Sequence, residues 1–334
     1  MKIISPAKLR FALGLFALSM TLPVLAADPK SDVIEKTFTL SGPGKLVANV
    51  ESGSLTVSGS ETKTVTVKVT RDAENSTDSE AAKLLREYQV TITQDGTTIR
   101  AEGKAPRSQR WGWNKPQLRV KFEIIVPTKT DADLSVSGGN AKVADLTGTI
   151  STKTAGGSIA ATKLTGTVSF QTSGGSVQAE SIAGDLSAKT AGGNIGLKTV
   201  EGGKVDASTS GGSIAIAGAS GKFNLRTAGG NIKLEEGKGT VDASTSGGNV
   251  TLQLTESPKE AMSLKTAGGN ISLKVPGTTS ANLDASASGG TVTCDLPVTI
   301  QGTAKSHSIV GKMGEGGPDL TLRTPGGNIR IGKN

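Results

Sequence analysis

The sequence has 334 residues, with 37 Lys and Arg against 29 Asp and Glu, a formal net charge of +8, 3% aromatic residues and 45 glycines. So few aromatics and so much glycine exclude an ordinary globular core for a chain of this length, and suit a repeat architecture whose thin layers each bury a few aliphatic side chains. Acidic and basic residues are interspersed rather than blocked, which excludes a nucleic-acid groove.

The first 27 residues read as a cleaved export signal. Lys2, Lys8 and Arg10 precede an apolar run from Phe11 to Leu22, and Ala26 and Ala27 supply small residues for cleavage. The run is shorter than the ~20 residues that cross a bilayer, and no later stretch is long and apolar enough to do so. The mature chain, with a charge of +5, is therefore expected to be exported and soluble, in the periplasm, at the cell surface or outside the cell. The single cysteine, Cys294, leaves it without an intramolecular disulfide.

Residues 28–57 form N-terminal strands and an isolated early coil, in which Leu46, Ala48 and Val50 precede Ser52-Gly53 and Leu55 and Val57 follow. Residues 58–130 read as a small α+β cap that leaves the stack. It comprises an alternating strand over Thr64–Thr70, a helix over Ser79–Tyr88, a hairpin turning at Asp95-Gly96 and a strand over Arg119–Val126. Its role is to cover strand edges that would otherwise recruit other molecules.

From residue 131 to 334 Gly-Gly pairs recur, beginning at Gly138 and ending at Gly326, mostly in steps of 18. Gly156-Gly157, Gly192-Gly193 and Gly229-Gly230 are representative turns. The sixth residue before each pair is apolar, as is the third after its first glycine, exemplified by Ile195, Ile214 and Ile232. Alternation on both sides of the turn predicts an all-β fold, a single-stack parallel β-solenoid with ~18-residue coils and two strands per coil. Ser308–Gly311 reads as a degenerate coil, and the charged ending Ile329–Asn334 as the far edge of the stack.

Outward positions carry a second alternation, a charge ladder. Lys189, Arg226 and Lys265 occupy alternate coils, and Asp206, Asp242 and Asp284 the coils between, so each Asp is expected diagonal to a base. The same aspartates furnish the enzymatic alternative, a polysaccharide-active glycosidase or lyase, because carboxylates two coils apart sit ~9.6 Å from each other. Against it stands the absence from the sequence of any sign of a cleft. The only histidine, His307, has no acid near it in sequence, and one His with one Cys supplies too few ligands for a transition-metal site built on them, so no cofactor or metal is expected.

Both tryptophans fall in one basic loop, Arg107, Arg110, Trp111, Trp113 and Lys115. Two readings stand. The indoles stack on a sugar or grip an anionic polymer beside their cations, or they pack over the open end of the solenoid.

Leu46–Val57, the strand ending Ile124-Ile125-Val126-Pro127, the repeated Thr-(Ala/Ser)-Gly-Gly-(Asn/Ser)-Ile units and the ending Leu320–Ile329 together resemble the bacterial β-strand-repeat family labelled "putative adhesin", a domain of unknown function. The resemblance implies an exported or envelope-associated solenoid and supplies no catalytic residues. The expected role is thus a non-enzymatic binding or structural surface, with an envelope polysaccharide or a surface protein as partner.

Overall fold

The computed structural model describes residues 30–106, 116–300 and 305–334. The expected signal lies outside them, as does the tryptophan loop. In chain order the elements begin with β1 (Ser31–Thr39), β2 (Gly44–Val50), β3 (Ser54–Ser60), β4 (Thr64–Glu74), α1 (Asp78–Glu87), β5 (Gln89–Asp95), β6 (Thr98–Lys104), β7 (Gln117–Pro127) and β8 (Thr130–Val136). The long strands follow: β9 (Ala141–Thr154), β10 (Ile159–Thr172), β11 (Val177–Thr190), β12 (Ile195–Thr209), β13 (Ile214–Thr227) and β14 (Ile232–Thr245). The chain closes with β15 (Val250–Leu254), β16 (Met262–Thr266), β17 (Ile271–Val275), β18 (Ala281–Ala287), β19 (Val292–Cys294), β20 (Val298–Ile300), β21 (Ser308–Met313), β22 (Asp319–Thr324) and β23 (Ile329–Lys333). The 23 strands among the described residues form one continuous, mostly parallel sheet folded into two faces.

Each long strand is one layer. Where alternation predicts two strands per coil, β9 to β14 run unbroken through both faces and bend at a left-handed residue. That residue is Asp145 (φ 58°), Lys163 (52°), Ser181 (59°), Thr199 (52°), Gly218 (63°) or Glu236 (53°). The bend lets a buried aliphatic such as Leu164 fill the narrow side between the faces. β12 holds one residue more than its neighbours, and the pairing slips between Ala183 and Leu186, where Gly202 and Gly203 take positive φ and absorb the excess.

The core is a set of rows running along the stack. Ile195 pairs with Ile214 and Ile214 with Ile232, and all three are fully buried. A second row runs Phe170, Ala188, Ala207, Leu225, Ala243, so large side chains spread over small ones in adjacent layers. Each buried aliphatic contributes about 1.5–3 kcal/mol, and no single nucleus dominates.

Chain order and spatial order part company at both ends. β2 lies between β6 and β8, and β3 between β7 and β9, so the first coil in sequence is the second layer in space. The stretch expected to leave the stack instead returns to supply its outermost parallel layer, β6 with β7. Antiparallel strands then cover that layer: β5 beside β6, and β4 with β1 beside β7. Helix α1 starts on a capping box between Thr77 and Glu80. The buried Arg71 of β4 ion-pairs with Asp32 and donates to the carbonyls of Leu85 (2.8 Å) and Tyr88 (2.9 Å), closing the helix onto the sheet. The Tyr88 hydroxyl reaches the Ser52 carbonyl at 2.8 Å, and burial pushes its pKa up.

At the other end β22 lies between β16 and β18, and β23 between β17 and β19. The expectation that Ile329–Asn334 form the far edge is therefore corrected: β23 is hydrogen-bonded on both sides. The edge belongs to β19 on one face and, on the other, to the antiparallel strands β21 and β20. Ser308–Gly311, expected as a degenerate coil, is part of β21. Its antiparallel pairing terminates parallel growth, as an end layer requires.

Candidate functional site

The Gly-Gly turns align into a ladder along one edge of the stack. Preceding most pairs, though not Gly138-Gly139 or Gly289-Gly290, a buried Thr donates to the second glycine of the layer before and accepts from the second glycine of its own. Thr172 reaches Gly157 O at 2.8 Å and Gly175 N at 3.2 Å, and Thr190, Thr209, Thr227, Thr245, Thr266 and Thr324 repeat the arrangement. After each pair, an Asn or Ser side chain accepts the backbone N–H of the equivalent residue in the next layer, as Asn194 does from Ser213 at 2.8 Å. The repeat unit is thus a hydrogen-bonding device. Its recurring Thr was visible in the sequence, but alternation alone marked it only as another inward position.

The paired glycines are unequal. A Cβ on Gly157, Gly193 or Gly230 would overlap the carbonyl of the second glycine in the preceding layer. A Cβ on Gly156 would meet only Ser137 O at 4.0 Å. None of these four glycines has positive φ, so close stacking rather than backbone conformation requires the second one.

The charged positions form two outward rows on the face that holds the sixth residues before the turns. One runs Asp206, Asn224, Asp242, Ser263, Thr321, Asp284; the other runs Lys189, Ser208, Arg226, Ser244, Lys265, Arg323. Insertion of β22 brings Lys265 directly beside Arg323, and Arg323 ion-pairs with Asp284. It also places two layers rather than one between Asp242 and Asp284. Asp206 takes Lys204 of its own strand at 3.0 Å and Asn224 Nδ2 at 2.8 Å. Burial raises its pKa, but the Asn224 hydrogen bond, Lys204 and the charge of Lys189 outweigh that and hold the carboxyl below its usual value. A general acid needs the opposite shift.

On the outer side of the other face, a groove of about 640 Å³ crosses β9 to β14. Its central row runs Lys142, Ala160, Gln178, Gly196, Ala215, Lys233. Small residues make the floor, lysines close both ends, and Glu180 stands on one wall. Gly196 has no side chain, which leaves room for Gln178 to lie across it. The sequence signal was a run of small residues at outward positions otherwise held by Lys, Gln or Glu; a reading directed at the core passed over it.

Arg107, Arg110, Trp111, Trp113 and Lys115 lie outside the described residues. In sequence they fall between β6 and β7, the two strands of the outermost parallel layer. Ala105 N donates to Glu51 Oε2 at 3.0 Å just after β6. Cys294, expected to point into the core, is half-buried in the edge strand β19, where burial pushes its thiol pKa up. His307 is exposed. Among the described residues no three His, Cys, Asp or Glu gather to hold a metal, and no helix is long and apolar enough to cross a membrane.

A parallel solenoid with a Thr and Asn ladder at its turns defines a β-strand-repeat domain. The chain belongs to the Toastrack DUF4097 family, whose model matches residues 44–332. No curated protein matches it. Among solved structures, it is similar to a "putative adhesin" from Bacteroides fragilis at 14% identity, covering 92% of this chain and 99% of that one with a TM-score of 0.35. A "putative adhesin" from Parabacteroides distasonis matches at 14% identity, 90% and 97% coverage and a TM-score of 0.38. A "putative lipid binding protein" from the same organism matches at 14% identity, 91% and 97% coverage and a TM-score of 0.33.

Proposed function

We propose that the protein is exported, loses residues 1–27, and serves without catalysis as a rigid surface of eighteen-residue layers that binds an envelope polysaccharide. The groove over β9 to β14 carries this reading. Its floor of Ala160, Gly196 and Ala215 admits a chain lying along the stack, and layers repeating every ~4.8 Å offer a repeating polymer a repeating set of hydrogen-bonding side chains. Lys142 at one end, Gln178 in the central row and Glu180 on one wall supply donors and acceptors. The loop of Trp111 and Trp113, with Arg107, Arg110 and Lys115, is a second contact, since an indole face suits a sugar ring.

Calorimetric titration of the mature protein with host envelope polysaccharide tests the reading. Binding without release of reducing ends is expected, with loss of at least ~tenfold in affinity when Gly196→Arg and Ala215→Arg fill the groove, equivalent to about 1.4 kcal/mol. Unchanged affinity in that variant removes the groove, and loss confined to Trp111→Ala with Trp113→Ala assigns binding to the loop. Reducing-end release abolished by Asp242→Asn establishes the enzymatic alternative instead.

A further inference from the structure

The last coil of the chain, β22 with β23, occupies a slot rather than an end. On one face Leu320 sits between Met262 and Leu283, and Leu322 between Leu264 and Ala285. On the other, Ile329 sits between Ile271 and Val292, and Ile331 between Leu273 and Cys294. Backbone bonds close both edges: Ile271 N donates to Asn328 O and Ile329 N to Thr291 O, each at 2.9 Å. An emptied slot would leave two parallel edges facing each other across two strand spacings, ~9.6 Å, with their amides and carbonyls unpaired.

The segment leading into the slot is built to turn back sharply. Between β21 and β22 run Gly314, Glu315, Gly316, Gly317 and Pro318, and the three glycines take φ of 56°, 82° and 150°. Reversal of the chain here rests on those left-handed glycines, and extending them moves the coil away as a unit. What then fits the slot is set by its two walls: a Thr-Pro-Gly-Gly-Asn-Ile turn matched to Gly269 and Asn270 on one side and Thr291 on the other. A second copy of this chain carries that coil.

We propose that the C-terminal coil Asp319–Lys333 is exchanged between two copies, each filling the other's slot. Exchange recreates every contact of the closed monomer and changes only the hinge 314–318, so its cost is confined to that hinge and to bringing two copies together.

The test uses the full chain with Cys294→Ser, Ser272→Cys and Arg330→Cys. Ser272 and Arg330 are register partners on β17 and β23 with outward side chains, at a strand separation a disulfide spans. The protein is refolded at low and high concentration, oxidised, and run on a denaturing gel without reductant. An intrachain link at low concentration, with a covalent dimer at least ~tenfold enriched at high concentration, supports exchange, as a bimolecular step demands. Gly316→Pro, which cannot hold positive φ, is expected to favour the covalent dimer even at low concentration. An exclusively intrachain link at every concentration overturns the proposal. So does a dimer in size-exclusion chromatography that lacks the interchain link, because that copy pairs by its edges. The unmodified hinge keeps the test decisive should Gly316→Pro fail to fold.

Discussion

The Thr209 hydroxyl donates to the Gly193 carbonyl of the preceding layer at 2.9 Å and accepts the Gly212 amide of its own at 3.2 Å. Valine has the same shape and can do neither. Thr209→Val is expected to destabilise the protein by about 1–2 kcal/mol, because it strands buried backbone groups. Urea unfolding monitored by circular dichroism checks it.

The same substitution at Thr152 should have the opposite sign. Thr152 is fully buried in a row between Leu134 and Phe170, and its hydroxyl has no hydrogen-bond partner. Thr152→Val removes an unpaired polar atom and is expected to stabilise by about 1 kcal/mol in the same assay.

Glycine replacement separates the two members of a turn. Gly157→Ala drives a methyl group into the Gly139 backbone, which belongs to a layer that cannot move alone, and should lower the melting temperature by several degrees. Gly156→Ala has open space before it and should change the melting temperature little. Equal effects at both positions would refute the stacking argument.

Thr199 is a β-branched residue at φ 52°, where its Cβ crowds the backbone. Asparagine tolerates that conformation better, so Thr199→Asn should stabilise by up to about 1 kcal/mol. Thermal unfolding of the two proteins side by side decides the point.

Asp206 supplies a pH dependence. Its folded-state pKa lies below the unfolded one, so the unfolded chain takes up the proton first. The stability it contributes is complete above the ordinary Asp value of about 3.9 and is lost as pH falls through the lower folded value. Asp206→Asn should flatten that part of the acid unfolding curve. Asn224→Ala should raise the Asp206 titration midpoint, read by carboxyl-resolved NMR.

The layered interior was legible in the sequence because inward side chains recur with strand periodicity around a fixed turn. The row Ile195, Ile214 and Ile232 follows from that recurrence alone. The order of layers at the two ends was not legible, for a physical reason in the repeats themselves. The unit of Gly326-Gly327 brings Thr324 to the Gly269 carbonyl, whereas its rival, the next unit in sequence, carries Ala287 at that place, a difference that reading inward positions only as apolar passes over. The left-handed bends were hidden for a related reason, since Asp, Lys, Ser, Thr and Glu all fill them. The groove escaped because its defining trait is a lack of side chains, and periodicity reports only those that are present.

Because Leu46 must wait for Ile99 and Ala132 to flank it, and Ile331 is the last apolar row member to be made, this fold cannot be completed in step with synthesis. A chain emerging from its N-terminus can stack β9 to β14 one upon another as they appear. β22 and β23 must enter between strands made earlier, so the layer they fill cannot form until both have been synthesised.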